Sequence, residues 1–281
     1  MNPPASQKIS PGLVRSITAT LRQADEDALQ WATLARGRTD WRTIIVLTTT
    51  ALALTIQEYV FDSALVDRIP AVLEMLGFSS FSASFRTHAL SIENWEITRL
   101  TFWAIGRVLT YVVLPVVVIR FLLREPVVAF GLSMRGCLHS LPLYGAMFAV
   151  MLPAVWFFSS SDSFQESYPF YTLSSTEKLW PRFYLWELLY AVQFIALEFF
   201  FRGFVLHGTR HRAGSGAIFI MMVPYCMIHF TKPMPETFGA IGAGVILGFM
   251  SLKTRSIWLG ALLHIAVAWS MDFMALANRN G

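Results

Sequence analysis

Long apolar runs separated by short polar clusters set the pattern of this chain. They fall at 42–61, 100–122, 138–159, 183–206, 215–230, 238–252 and 256–276. Several reach the roughly 20 residues that an α-helix needs to cross a bilayer, so the runs read as membrane spans. The fifth and sixth are short and predict helices that tilt little or sit inside the bundle. Ahead of the first run, Leu13, Val14, Ile17, Leu21, Ala24, Ala28, Leu29 and Trp31 recur at helical spacing. They predict an amphipathic helix over 11–35 that lies on the membrane surface. The expected fold is therefore all-α: a polytopic transmembrane helical bundle of about seven spans with an N-terminal amphipathic surface helix. Without an internal repeat or a low-complexity linker, 1–281 reads as a single membrane domain, with 1–40 as its cytoplasmic amphipathic segment.

Composition agrees with this class. Of 281 residues, 55% are hydrophobic and 14% charged, where an ordinary soluble domain carries about 25% charged residues. The first 40 residues mix Asp25, Glu26, Asp27, Arg36 and Arg38 and lack the short apolar core of a signal peptide. Cys137 and Cys226 lie in different segments, so neither a disulfide framework nor a zinc knuckle is expected. The net charge of +4 matters less than its placement. Thirteen Lys and Arg, from Lys8 to Arg42, then Arg120, Arg124, Arg135, Arg210, Arg212, Lys253 and Arg255, fall on one side of the predicted spans; seven fall on the other. This asymmetry puts the N terminus in the cytoplasm. No basic run accompanies a nucleic-acid motif, so nucleic acid is not an expected partner.

Ionisable residues inside spans are costly and usually face the bundle interior. Arg107 needs a partner at its depth, and a structural ion pair is its expected role. Glu58 and Glu187 lie near span ends, within reach of the interface, and His139, His207 and His211 read as interfacial too. Glu198, Arg202, His229, His264 and Asp272 remain, all within the last four predicted helices. Glu198 and Arg202 are four apart and share a helix face, which suits a self-neutralising structural pair as well as a catalytic one. His229 and His264, taken singly, read as packing histidines. Together, a glutamate and two histidines form a set able to activate water.

Three motifs carry a resemblance. "LEFFFRG" (197–203), "YCMIH" (225–229) and "HIAVA" (264–268) stand in the order and spacing of E-E-x-x-x-R, F-x-x-x-H and H-x-x-x-N/D. The region 183–276 thus resembles the core of the CPBP (CAAX protease and bacteriocin-processing, or ABI) family of intramembrane proteases, which includes the type II CAAX prenyl endopeptidases. Leu197 stands where the family has the first glutamate, Tyr225 where it has phenylalanine, and Ala268 where it has Asn or Asp.

The resemblance implies an intramembrane endopeptidase that hydrolyses a peptide bond of a membrane-associated protein or peptide. Glu198 would be the base, with His229 and His264 orienting water and stabilising the oxyanion, and Arg202, Tyr225 and Asp272 in support. Asp272, two turns beyond His264, would supply charge missing at Ala268. No cofactor is expected; zinc on Glu198, His229 and His264 is the alternative. The rival functions are a non-catalytic scaffold or immunity factor of the same family and a small-molecule transporter. The expected setting is a bacterial cytoplasmic membrane, with the bilayer and a membrane-anchored substrate as partners.

Overall fold

The computed structural model describes residues 11–134, 137–174 and 177–279, without the side chains of Pro11, Leu13 and Val14. Lys8 and Arg135, counted in the charge asymmetry, lie outside the described residues. Among those described, the chain is helical, and strand pairing is confined to one isolated bridge between Leu132 and Ser256. The principal helices are α1 (Pro11–Leu34), α2 (Trp41–Tyr59), α3 (Trp95–Leu123), α4 (Leu141–Phe158), α5 (Arg182–Glu198), α6 (Leu206–Ala213), α7 (Ala217–Met227), α8 (Met234–Thr254) and α9 (Trp258–Arg279). A π-helical stretch, Phe199–Val205, joins α5 to α6.

The helical bundle is as expected, and a helix lies on each predicted segment. Five helical runs are long and apolar enough to span a bilayer, or six if α2 and Ser63–Met75, bent by 63°, form one broken span. This is roughly the expected seven: α2 counts only together with Ser63–Met75, and the remaining difference lies at α7. It has 11 residues and rises only about 17 Å, against a hydrocarbon core of about 30 Å. It continues a single helical run, Arg182–Met227, that breaks at Gly214. Gly214 has φ 57°, and a Cβ there would collide with Asp25, whose Oδ1 accepts the Ser215 N–H at 2.7 Å. The break is therefore also where α1 docks, with Ala28 buried and Trp31 edge-on to His211 at 4.8 Å. Leu29, expected on the apolar stripe, is exposed instead.

Burial makes α5 and α6 the axis of the bundle. In the most apolar window of Arg182–Met227, 72% of residues are buried, against 11% in Cys137–Phe158. Phe200 stacks on Tyr111 of α3 at 4.4 Å, and Phe201 meets Tyr225 of α7 edge-on at 5.4 Å. Such pairs add about 0.5–1.5 kcal/mol each beyond the area they bury.

The loops gather at two ends. At one, Arg42 pairs with Glu125 at 2.7 Å and donates to the Gly208 carbonyl at 3.1 Å, while the Ile257 N–H donates to Gly131 O at 2.9 Å. At the other, Arg182 stands 3.5 Å from both Glu93 and Glu177, and Tyr168 donates to Glu236 at 2.7 Å. The segments grouped by their excess of Lys and Arg share the first end.

Candidate active site

Glu198 is the last residue of α5, and the backbone widens into the π turn immediately after it. Such turns recur at functional sites because they re-aim side chains and free backbone groups. One consequence is visible here: the Arg202 carbonyl accepts from Ser251 Oγ of α8 at 3.3 Å. Glu198 and Arg202 are both wholly buried.

Two groups converge on one oxygen. His264 Nδ1 lies 3.1 Å from Glu198 Oε1, and Arg202 Nη1 lies 3.1 Å from the same atom. A carboxylate only accepts, so His264 donates through Nδ1 and keeps the Nε2 lone pair. No guanidinium N–H of Arg202 is aligned for a hydrogen bond, so that contact is one of charge with charge. Among the described residues, Glu198 Oε2 has no hydrogen-bond partner. A Cβ at position 260 would stand 3.0 Å from it, so Gly260 leaves the carboxylate its room.

Tyr225 is the plate around which the rest assembles. Arg202 lies over its ring at 3.8 Å, His229 meets it at 4.8 Å and His264 at 6.3 Å. His229 follows the end of α7; its Nδ1 donates to Tyr225 O at 2.8 Å, and its carbonyl accepts from Thr237 Oγ1 at 2.6 Å. His229 thus presents Nε2 as its free ring nitrogen. Glu198, Arg202, Tyr225, His229 and His264 form one cluster. Among the described residues no group of three His, Cys, Asp or Glu side chains could hold a metal ion.

Asp272, expected in support, stands apart from that cluster. Eight residues beyond His264, it lies about 12 Å further along the helix. Its Oδ1 accepts the Phe170 N–H at 3.0 Å, and its carboxyl faces Glu187. Glu187, expected near the interface, is buried, as is His207, whose Nε2 meets Ser251 Oγ at 3.2 Å. Trp269 of α9 donates through Nε1 to the Glu187 carbonyl at 3.2 Å, and Trp186 stacks on Phe170 at 5.5 Å. In place of an ion pair, Arg107 donates to Tyr111 OH at 2.6 Å and lies over Trp103 at 4.6 Å.

Three neighbours went unpredicted. Gly260 had a legible signal, a glycine one turn before His264 on the same helix face. Phe194, against His264 at 4.2 Å, and the buried Tyr144, close enough to interact electrostatically with Glu198 and Arg202, had none. Leu197 packs into the central apolar core. Ala268 is buried beside Phe194 and Trp186.

The family model described as Rce1-like, type II CAAX prenyl endopeptidase, matches residues 179–270. Over that stretch the chain is similar to that family. The resemblance carried by the three motifs is thereby borne out. The match runs from the start of α5 into α9; it contains Glu198, Arg202, Tyr225, His229 and His264 and stops short of Asp272. No curated protein and no solved structure is significantly similar to the chain. With its long apolar helices, the chain is an integral membrane protein, and its residues 179–270 are similar to a CAAX prenyl endopeptidase family.

Proposed function

We propose that the chain is an intramembrane endopeptidase that cleaves a membrane-anchored protein or peptide with water activated by Glu198. The observation that carries this reading is the Glu198 carboxylate: Oε1 is held by His264 and Arg202 at 3.1 Å each, and Oε2 is left without a hydrogen-bond partner among the described residues. In the proposed step, Glu198 takes one proton from water as the hydroxide oxygen bonds to the scissile carbonyl carbon. The tetrahedral oxyanion then collapses, the C–N bond breaks, and the proton goes to the departing amine. Arg202 compensates the buried carboxylate before the reaction. The Nε2 atoms of His229 and His264 accept hydrogen bonds from the attacking water and orient it.

No metal takes part in this scheme, and chelators are expected to leave it intact. The excess of Lys and Arg at its end of the bundle supports an N terminus in the cytoplasm. One observation favours a second reading, a non-catalytic scaffold of the same family: the positions of Leu197 and Ala268 are filled by apolar packing rather than by polar groups. Co-expression with membrane-anchored reporter peptides separates the two. The enzyme releases fragments with new termini that Glu198→Gln does not produce; the scaffold releases none with either chain.

A further inference from the structure

At the basic end of the bundle a cleft of about 530 Å³ opens between α1, the start of α2, α6 and the α8–α9 turn. Arg42, Arg210, His211, Lys253 and Arg255 line it, with Trp31 and Asp27 on the α1 wall.

The partners of these cations divide them. Arg42 is tied to Glu125 at 2.7 Å and donates to the carbonyls of Gly208 and His207. His211 Nε2 pairs with Asp40 Oδ1 at 3.2 Å, and Arg255 feels the charge of Asp27. Arg210 and Lys253 form no ion pair among the described residues. Two uncommitted cations thus share one cleft with an indole wall, a chemistry that takes a phosphate.

The surroundings say where that phosphate comes from. Leu29, Leu34 and Trp41 are 68%, 84% and 66% exposed on the outer face of α1 and at the start of α2. Apolar and indole side chains exposed where helices leave the bilayer mark the headgroup level. Basic pockets between helices at that level bind anionic lipid headgroups.

We propose that this cleft holds the phosphate of an anionic phospholipid, with Arg210 and Lys253 as its ligands and α1 as the wall that closes over the headgroup. The site is separate from Glu198 and does not depend on the proteolytic reading. It makes the docking of α1 sensitive to lipid composition.

The test is thermal unfolding of the purified full chain in a neutral detergent with phosphatidylglycerol, phosphatidylcholine or soluble glycerol phosphate added. Saturating phosphatidylglycerol should raise Tm by roughly 5 °C, and the other two should leave it unchanged. Arg210→Gln/Lys253→Gln should remove that rise while keeping the lipid-free Tm, and Arg210→Lys/Lys253→Arg should retain it. If the double Gln variant does not fold, each single substitution reads the same difference. An equal rise with phosphatidylcholine, or a rise that survives in the Gln variants, overturns the site. A rise with glycerol phosphate alone overturns the lipid as its source.

Discussion

Glu198 Oε1 and His264 Nδ1 stand 3.1 Å apart although 66 positions separate them in the chain. The contact fixes the phase of α9 against the end of α5 and leaves the far nitrogen of the imidazole bare. Replacing His264 with Ala should lower peptidase turnover by about a hundredfold, the cost of mispositioning the water and Glu198. Folded yield should change little, because the ring keeps some exposure. A single-turnover assay beside a size-exclusion profile checks both.

Gly260 gives a sharper separation of chemistry from folding. Alanine in a helix interior is ordinarily favoured over glycine by about 0.5–1 kcal/mol. Here its Cβ would come 3.0 Å from Glu198 Oε2 and push the reacting oxygen aside. Gly260→Ala should keep or raise Tm while activity falls at least about tenfold, the effect of a misplacement under 1 Å. Unchanged turnover would mean that Oε2 does not face the substrate.

Arg202 should behave as half of a buried pair. Removing one partner from such a pair costs about 3–5 kcal/mol, because the other charge is left without compensation. Arg202→Met should therefore lose most folded protein, and Glu198→Gln/Arg202→Met should recover much of it while staying inactive. Equal loss in the single and double variants would point to the stacking of Arg202 on Tyr225 as its main role.

Asp40, ahead of α2, supplies an acid-sensitive cap. Burial raises its pKa, but hydrogen bonds from Thr43 and His211 outweigh this and hold it below the ordinary 3.8. A carboxylate depressed in the fold stabilises it fully above its unfolded pKa and loses that contribution as pH falls through the folded value. Asp40→Asn should flatten the acid limb of a Tm-against-pH series while leaving the neutral region nearly level.

Hydropathy made the bundle legible, and motif order made the cluster legible. What it could not convey was depth. Glu187 lies five residues from the start of α5, a position that reads as interfacial, yet it is buried facing Asp272 of the distant α9. His207 is buried for the same reason, since Ser251 and the loop at Gly131 close over a helix end that sequence leaves open. The count of spans is roughly as expected and differs at α7, because an apolar run shows composition but not where Gly214 turns the chain. Asp272 shares a helix with His264, and its partner Phe170 comes from a loop that no periodicity ties to α9. Tyr225 is the opposite case: a single hydroxyl away from the family pattern, it still supplies the ring that Arg202 and both histidines need.

The central claim is that Glu198 is the base. Glutamine keeps the shape and the hydrogen-bonding capacity of that side chain but cannot take a proton from water. The most direct measurement is the single-turnover cleavage rate of a membrane-anchored reporter in proteoliposomes, parent beside Glu198→Gln, at equal amounts of folded protein. A fall to background with an unchanged melting profile is the result predicted here. Cleavage by Glu198→Gln at the parental rate would contradict it.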